Sequence, residues 1–241
     1  MRKNDIYEIF KEIEEGIVDL KKFNKISKVK FKSILENLRS ILEYVAHDIN
    51  MALSQPKDEA RLYFPYGESY KKFKESTDRN LRNLDAEIPE IYCLLESLQP
   101  HKDNNNWLVL MCEFTNQVKH KKLIDIHEKD ENSVILSTGG MPIFEFINCS
   151  NVIVEGERIV LEDQNGTVTD FGKMGSYHIS QDKVISQENN PNMSHIIIKG
   201  KKLILENKEI ELIPFVDEYF YKIKKFSDEV YMILGKLDKL M

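Results

Sequence analysis

Apolar residues recur at steps of three and four through the first half of the chain, change to short alternating runs after residue 122, and return to the helical period at Pro214. Ile6, Phe10, Ile13, Ile17, Leu20 and Phe23 share one face of residues 5–23, which predicts an amphipathic helix capped by Asn4 or Asp5. Phe31, Ile34, Leu35, Leu38, Ile41, Leu42, Val45 and Ile49 make the most regular stripe, as a bundle helix demands. Pro56 and the string LYFPYGES (62–69) break that pattern. Pro65 and Gly67 mark a turn there, and three aromatics in four positions need burial, so a long connection packed on the bundle is expected. A ligand-stacking platform is the alternative for the same aromatics. A polar helix over about 68–84, Asp85 as the cap of the next, and a short amphipathic segment from Ile88 to Leu98 follow, stopped near Pro100.

The loop 101–106 leads into WLVLMCEFTNQVKHKKL (107–123). At 100° per residue Trp107, Met111, Phe114 and Val118 fall together and form a core stripe. Glu113, Asn116 and His120 fall on the opposite side, so this polar stripe faces solvent or a partner. Short β-type runs then occupy Leu123–Ile126, Val134–Leu136, Ile143–Ile147, Val152–Val154, Arg158–Leu161, Thr167–Phe171, Ile196–Lys199, Lys202–Leu205 and Glu209–Ile213. Turn strings TGGMP, EGER, QNGT and IKGKK separate them, and the polar stretch Met174–Ser194 is expected to be a mobile loop. From Pro214, placed to start a helix, Val216, Tyr219, Phe220, Ile223, Phe226, Val230, Ile233, Leu234, Leu237 and Leu240 continue one face, a length of about 40 Å at 1.5 Å per residue. Only the N-terminal helices match it in length and apolarity.

The predicted fold class is therefore α+β: a helical bundle closed by the N- and C-terminal helices, with an antiparallel β meander or small barrel inserted before the last helix. Residues 1–122 form the bundle, 123–213 the β region, and 214–241 a helix that packs back on the bundle.

Composition narrows the function only slightly. A net charge of −6 argues against a protein that coats nucleic acid over its whole surface, while leaving local patches open. Three widely spaced cysteines without a CxxC pair predict neither a disulfide framework nor a zinc site, and Cys93 and Cys112 are expected to be small core residues. His178 and His195 lack neighbours at ligand spacing, so no metal is expected. No spanning apolar run and no signal-peptide pattern are present, which predicts no membrane partner and a reduced cytoplasm as the default compartment. Phosphate-loop, dinucleotide, zincin and hydrolase-elbow motifs are missing, so no cofactor is expected.

Candidate chemistry sits in three places. KKFNKISKVKFK (21–32) holds six lysines and no acid, either a solvated helix end or a phosphate-binding face. Arg39, Glu43 and His47 follow at four-residue steps, either an exposed charge ladder or the wall of a cleft. The polar stripe Glu113, Asn116 and His120 runs directly into Lys121 and Lys122.

The string TNQVKH (115–120) resembles the helical motif of HEPN-superfamily domains, whose usual form is Arg-Asn-x-x-x-His. Asn116 and His120 match that asparagine and histidine, Thr115 stands where the arginine would be, and the preceding helices match in kind. The likeness spans residues 30–125 and the last helix. The strings LRSILEYVAHDI, LYFP, LESLQP and NQVKH also resemble a group of uncharacterised bacterial proteins, which implies no function. The HEPN resemblance implies either a non-enzymatic binding relative or a metal-independent endoribonuclease acting as a homodimer, often in phage defence or toxin–antitoxin systems. In the enzyme, His120 would take the proton of an RNA 2′-hydroxyl that then attacks phosphorus, and Asn116 would orient the imidazole or the phosphate. A cation must neutralise the developing phosphate charge. Without the arginine, Lys119, Lys121, Lys122 or Arg39 would supply it, with less geometric control from a lysine. As a binding module, the chain would meet RNA or a protein through Glu113, Asn116, His120 and the lysines.

Overall fold

A computed structural model describes residues 2–58, 62–103, 106–147, 152–156, 159–162, 168–172, 175–180, 183–186, 193–205 and 208–237. The chain divides into two compact units, Met1–His127 with Leu203–Met241, and Glu128–Lys202. All helices among the described residues belong to the first unit, and the antiparallel β region is inserted before the last helix, an α+β chain. No described helix is long and apolar enough to cross a membrane.

The helical unit is built on α2 (Lys28–Met51), which packs against α1 (Lys3–Phe23), α7 (Trp107–His120) and α8 (Leu212–Leu237). Ser27 caps α2 by accepting the Lys30 N–H. The residues of its apolar stripe, from Phe31 to Ile49, are buried, and each large side chain gains about 1.5–3 kcal/mol on leaving water. α8 touches α1 as well as α2, so both chain ends close the bundle. It begins two residues before Pro214, which its first turn tolerates because those N–H groups have no helical acceptor. Its Phe215 and Tyr219 rings lie tilted with centroids 4.0 Å apart, and they receive Phe114 at 5.5 Å and Trp107 at 5.4 Å from α7. Buried Asp48 takes the Arg2 N–H at 2.6 Å and the Tyr231 hydroxyl at 2.8 Å, joining α1, α2 and α8. Burial and then this bond to Asp48 push the Tyr231 phenol upward, which keeps it a donor.

Between α2 and α3 (Tyr70–Asn80) the described residues run as an irregular strap. A backbone without regular structure must find other hydrogen-bond partners when buried. Here side chains supply them. Asn50 pairs with both the N–H and the C=O of Lys57, each at 2.9 Å. Asn80 accepts the Tyr63 N–H at 3.2 Å, Glu43 that of Phe64 at 2.7 Å, and the fully buried Gln99 that of Gly67 at 3.1 Å. Pro65 has no N–H to satisfy. A Cβ on Gly67 would lie 2.4 Å from the Phe73 nitrogen, so this position accepts glycine alone.

Several sequence expectations change in this unit. Tyr63 is 61% exposed, so only Phe64 and part of Tyr66 bury their rings. The polar helix at 68–84 is α3 followed by a break, where Asn83 takes a left-handed conformation before α4 (Leu84–Glu87). Asp85 lies inside α4 and pairs with Lys74 at 2.7 Å instead of capping. The short segment after it is α5 (Pro89–Ser97), and α6 (Pro100–Asp103) forms where a loop was expected. Cys93 is exposed, while Cys112 is buried.

In the β unit, β1 (Ile126–Thr138) and β2 (Met141–Ile147) form a hairpin whose Gly139 and Gly140 both have positive φ, 55° and 82°. Two positive φ values suit the primed turns that match strand twist. The strand order of the largest sheet is β2-β1-β8-β9, with β8 at Met193–Leu205 and β9 at Ile210–Glu211. Contrary to the sequence reading, IKGKK is no turn: β8 runs straight through it. Gly200 is there because a Cβ would press to 3.1 Å of the Glu131 carbonyl, a close approach inside the sheet. Lys201–Glu128 at 2.7 Å and Lys202–Glu131 at 3.1 Å pair across the strands. The expected loop 174–194 also contains strands, β6 (Gly175–Ser180) and β7 (Lys183–Ser186), which form a three-stranded sheet with β3 (Val152–Gly156). β4 (Ile159–Glu162) and β5 (Val168–Gly172) pair separately, and the QNGT turn between them lies outside the described residues. Val134, Leu136, Tyr177 and Ile179 make this unit's small core.

Replacing Gln99 by Leu strands the buried Gly67 N–H. Unfolding in urea should show a loss of about 1–3 kcal/mol, against little change for an exposed control such as Glu90→Ala.

Candidate functional site

The outward side of α7 carries Glu113, Asn116 and His120, all exposed, while Trp107, Met111, Phe114 and Val118 are buried on the other side. Thr115 belongs to the buried side and donates its hydroxyl to the Met111 carbonyl at 2.7 Å. A longer cationic side chain at 115 would have to enter the bundle. His120, in the last turn of α7, has no hydrogen-bond partner among the described residues. Lys119, Lys121 and Lys122 surround it, all exposed.

Asp125 reveals a juxtaposition that sequence spacing hides. Its carboxylate pairs with Lys28, the first residue of α2, and with Lys122 just beyond α7 at 3.5 Å. These pairs, Lys28 first, hold the Asp125 carboxyl below its usual range. The start of α2 and the end of α7 thus share one end of the bundle. That brings 21–32 and 119–122 together. Lys21 is balanced by Asp217 at 2.7 Å and Lys32 by Glu36 at 3.7 Å. Lys22, Lys25, Lys30, Lys119 and Lys121 have no ion pair among the described residues. Phe23 stands among them 63% exposed, with the Lys22 ammonium 5.2 Å from its ring centre. Lysines in the first turn of α2 oppose the positive end of the helix dipole, while Lys25 and Lys30 also line a groove with Glu12, Glu15 and Asp19.

Arg39 is elsewhere. Its side chain is 13% exposed and bonds Glu43 at 2.6 Å and the Cys112 sulfur, with Tyr66 5.2 Å from the guanidinium. The ladder step Arg39–Glu43 therefore exists, but as a half-buried clasp, because Glu43 also holds the strap at Phe64. Burial pushes the Cys112 thiol up to about 11, although Arg39 draws it the other way. This sulfur is a packing group and not a nucleophile at neutral pH.

A cleft of about 430 Å³ opens above that clasp. Its walls are the strap at Tyr66–Glu68, the α3 residues Lys72, Glu75, Ser76 and Arg79, and Val109, Glu113 and Asn116 of α7. Asn116 and Glu113 thus face a cavity, whereas His120 lies one turn beyond its lining. Sequence reasoning missed Arg79 and Ser76, whose α3 pattern is merely polar. Among the described residues no three His, Cys, Asp or Glu side chains gather as metal ligands do. Compared with protein-family models, curated proteins and solved structures, the chain matches none.

In a Cys149→Ser background at pH 8, a thiol-reactive disulfide reagent should titrate Cys93 within seconds. Cys112 should react only when the protein is unfolded. Rapid titration of both thiols in folded protein would show that the clasp is open.

Proposed function

We propose that the chain is a non-enzymatic binding module that holds a single strand of RNA at the basic end of its helical unit. The observation that carries this reading is the double pairing of Asp125, which merges two lysine stretches some 90 residues apart in sequence. Five lysines of these two stretches form no ion pair among the described residues, and Phe23, exposed, has the Lys22 ammonium against its ring. Clustered ammonium groups displace counterions from phosphates, and an aromatic face offers a base a stacking surface. The resemblance of Asn116 and His120 to the HEPN-superfamily motif supports RNA as the strand and bacterial defence or toxin–antitoxin systems as the setting.

The second reading, an endoribonuclease dimer acting through His120, draws on the exposure of His120 and Asn116 one turn apart on a free face. Within one protomer it lacks two parts. No carboxylate or carbonyl orients the His120 ring among the described residues, and the only arginine proposed for the phosphate is held by Glu43 and Cys112. Catalysis needs preorganised charge at the reacting phosphate. Binding does not.

A fluorescein-labelled oligouridine should bind with a log K against log salt slope of up to about −3.5, as five phosphate contacts on a single strand require. Reversing Lys22, Lys25, Lys119 and Lys121 to Glu should abolish binding while the thermal midpoint stays within a few degrees. The RNA should remain intact in EDTA. Cleavage that His120→Ala removes would replace this proposal by the catalytic one, and salt-independent binding would reject the basic end as the site.

A further inference from the structure

From the cleft between the strap, α3 and α7 we infer a second binding site, for a zwitterion of the size of an amino acid or short peptide. It goes beyond the RNA-binding reading and does not depend on it. Its volume of about 430 Å³ falls in the range of small-molecule sites, roughly 300–1,000 Å³. Four polar side chains from two helices line it without a partner among the described residues: Arg79, Glu75, Ser76 and Asn116.

Their charges select the ligand. Glu75 and Arg79 stand four residues apart on α3 with the acid first, the order that ordinarily pairs on a helix surface. No ion pair forms between them here, so a guanidinium and a carboxylate are both open to the same cavity. The other charges of the wall are engaged: Lys72 with Glu68, and Glu113 with Lys208 at 3.6 Å. A ligand carboxylate would accept from the Arg79 fork, a ligand ammonium would donate to Glu75, and a peptide amide between them matches the donor and acceptor of Asn116. With Lys208 on Glu113 the charges around the wall balance, so the site has no excess of cations to hold a nucleoside phosphate. Tyr66, whose ring lies 5.2 Å from the Arg39 guanidinium, lines the cleft as well.

The test is an amide-resolved NMR titration of the full chain with Gly-Gly-Gly at pH 7. Saturable shifts should appear at Ser76, Arg79, Glu113 and Asn116. Triglycine amide, and separately Arg79→Gln with the free tripeptide, should each weaken binding at least tenfold, while N-acetylation should reproduce the loss caused by Glu75→Gln. Arg79 is exposed, so its variant should fold and keep its affinity for oligouridine. No shifts at millimolar triglycine, or shifts that AMP produces and triglycine does not, would overturn the assignment. Loss of oligouridine binding with triglycine binding intact would reject the RNA reading alone.

Discussion

An irregular stretch of backbone crosses the helical unit, and it can stay there only because buried and half-buried side chains take the place of a regular hydrogen-bond partner. Glu43, Asn80 and Gln99 each accept one strap N–H, and Asn50 holds both polar groups of Lys57. Each unmade bond would cost about 1–3 kcal/mol in a buried setting. The three acceptors belong to α2, to the end of α3 and to the turn after α5. The strap therefore fixes α3 and α5 on the bundle, and Gly67 lets α3 approach where any Cβ would collide. With α3 held against the strap and Tyr66 beside the Arg39 clasp, a cleft is left between strap, α3 and α7.

At the far end of α2 the physical situation is reversed. Nothing there is sealed, and charge instead of burial organises the surface. Asp125 offsets two lysines, and five others form no ion pair among the described residues. Such a concentration costs stability through self-repulsion, and it persists in a chain whose overall charge is −6. The contrast separates two kinds of recognition on one helical unit. A polyanion can be met by long, hydrated ammonium groups with little fixed geometry. The cleft, with one open guanidinium and one open carboxylate, demands a ligand of defined charge placement.

Thr115 and Arg39 show how residue type and position diverge in meaning. Arg39 enters the candidate chemistry by its spacing along a helix, and Thr115 by standing where the resembled motif has its arginine. Thr115 points inward and bonds the turn below it, as a buried hydroxyl must. Arg39 is turned onto Glu43 and Cys112 because the strap needs that carboxylate held in place. Helical arithmetic fixes the direction of a Cβ relative to its own axis, but it is silent on which neighbour occupies that direction. The same limit explains the β region. Gly200 reads as a turn residue in isolation and serves close packing against β1 in the sheet.

By itself, then, the order of residues determined the long helices, their buried faces, the closure of the bundle by both ends and the exposure of Asn116 and His120. These follow from the 3.6-residue period and from hydrophobic burial, which act locally along each segment. Tertiary structure alone decided that lysines near residues 25 and 120 share one end, that Arg39 clasps the strap, and that Arg79 meets Asn116 across a cleft. Those arrangements depend on helix packing and on pairing partners distant along the chain, and no periodicity in the sequence records them.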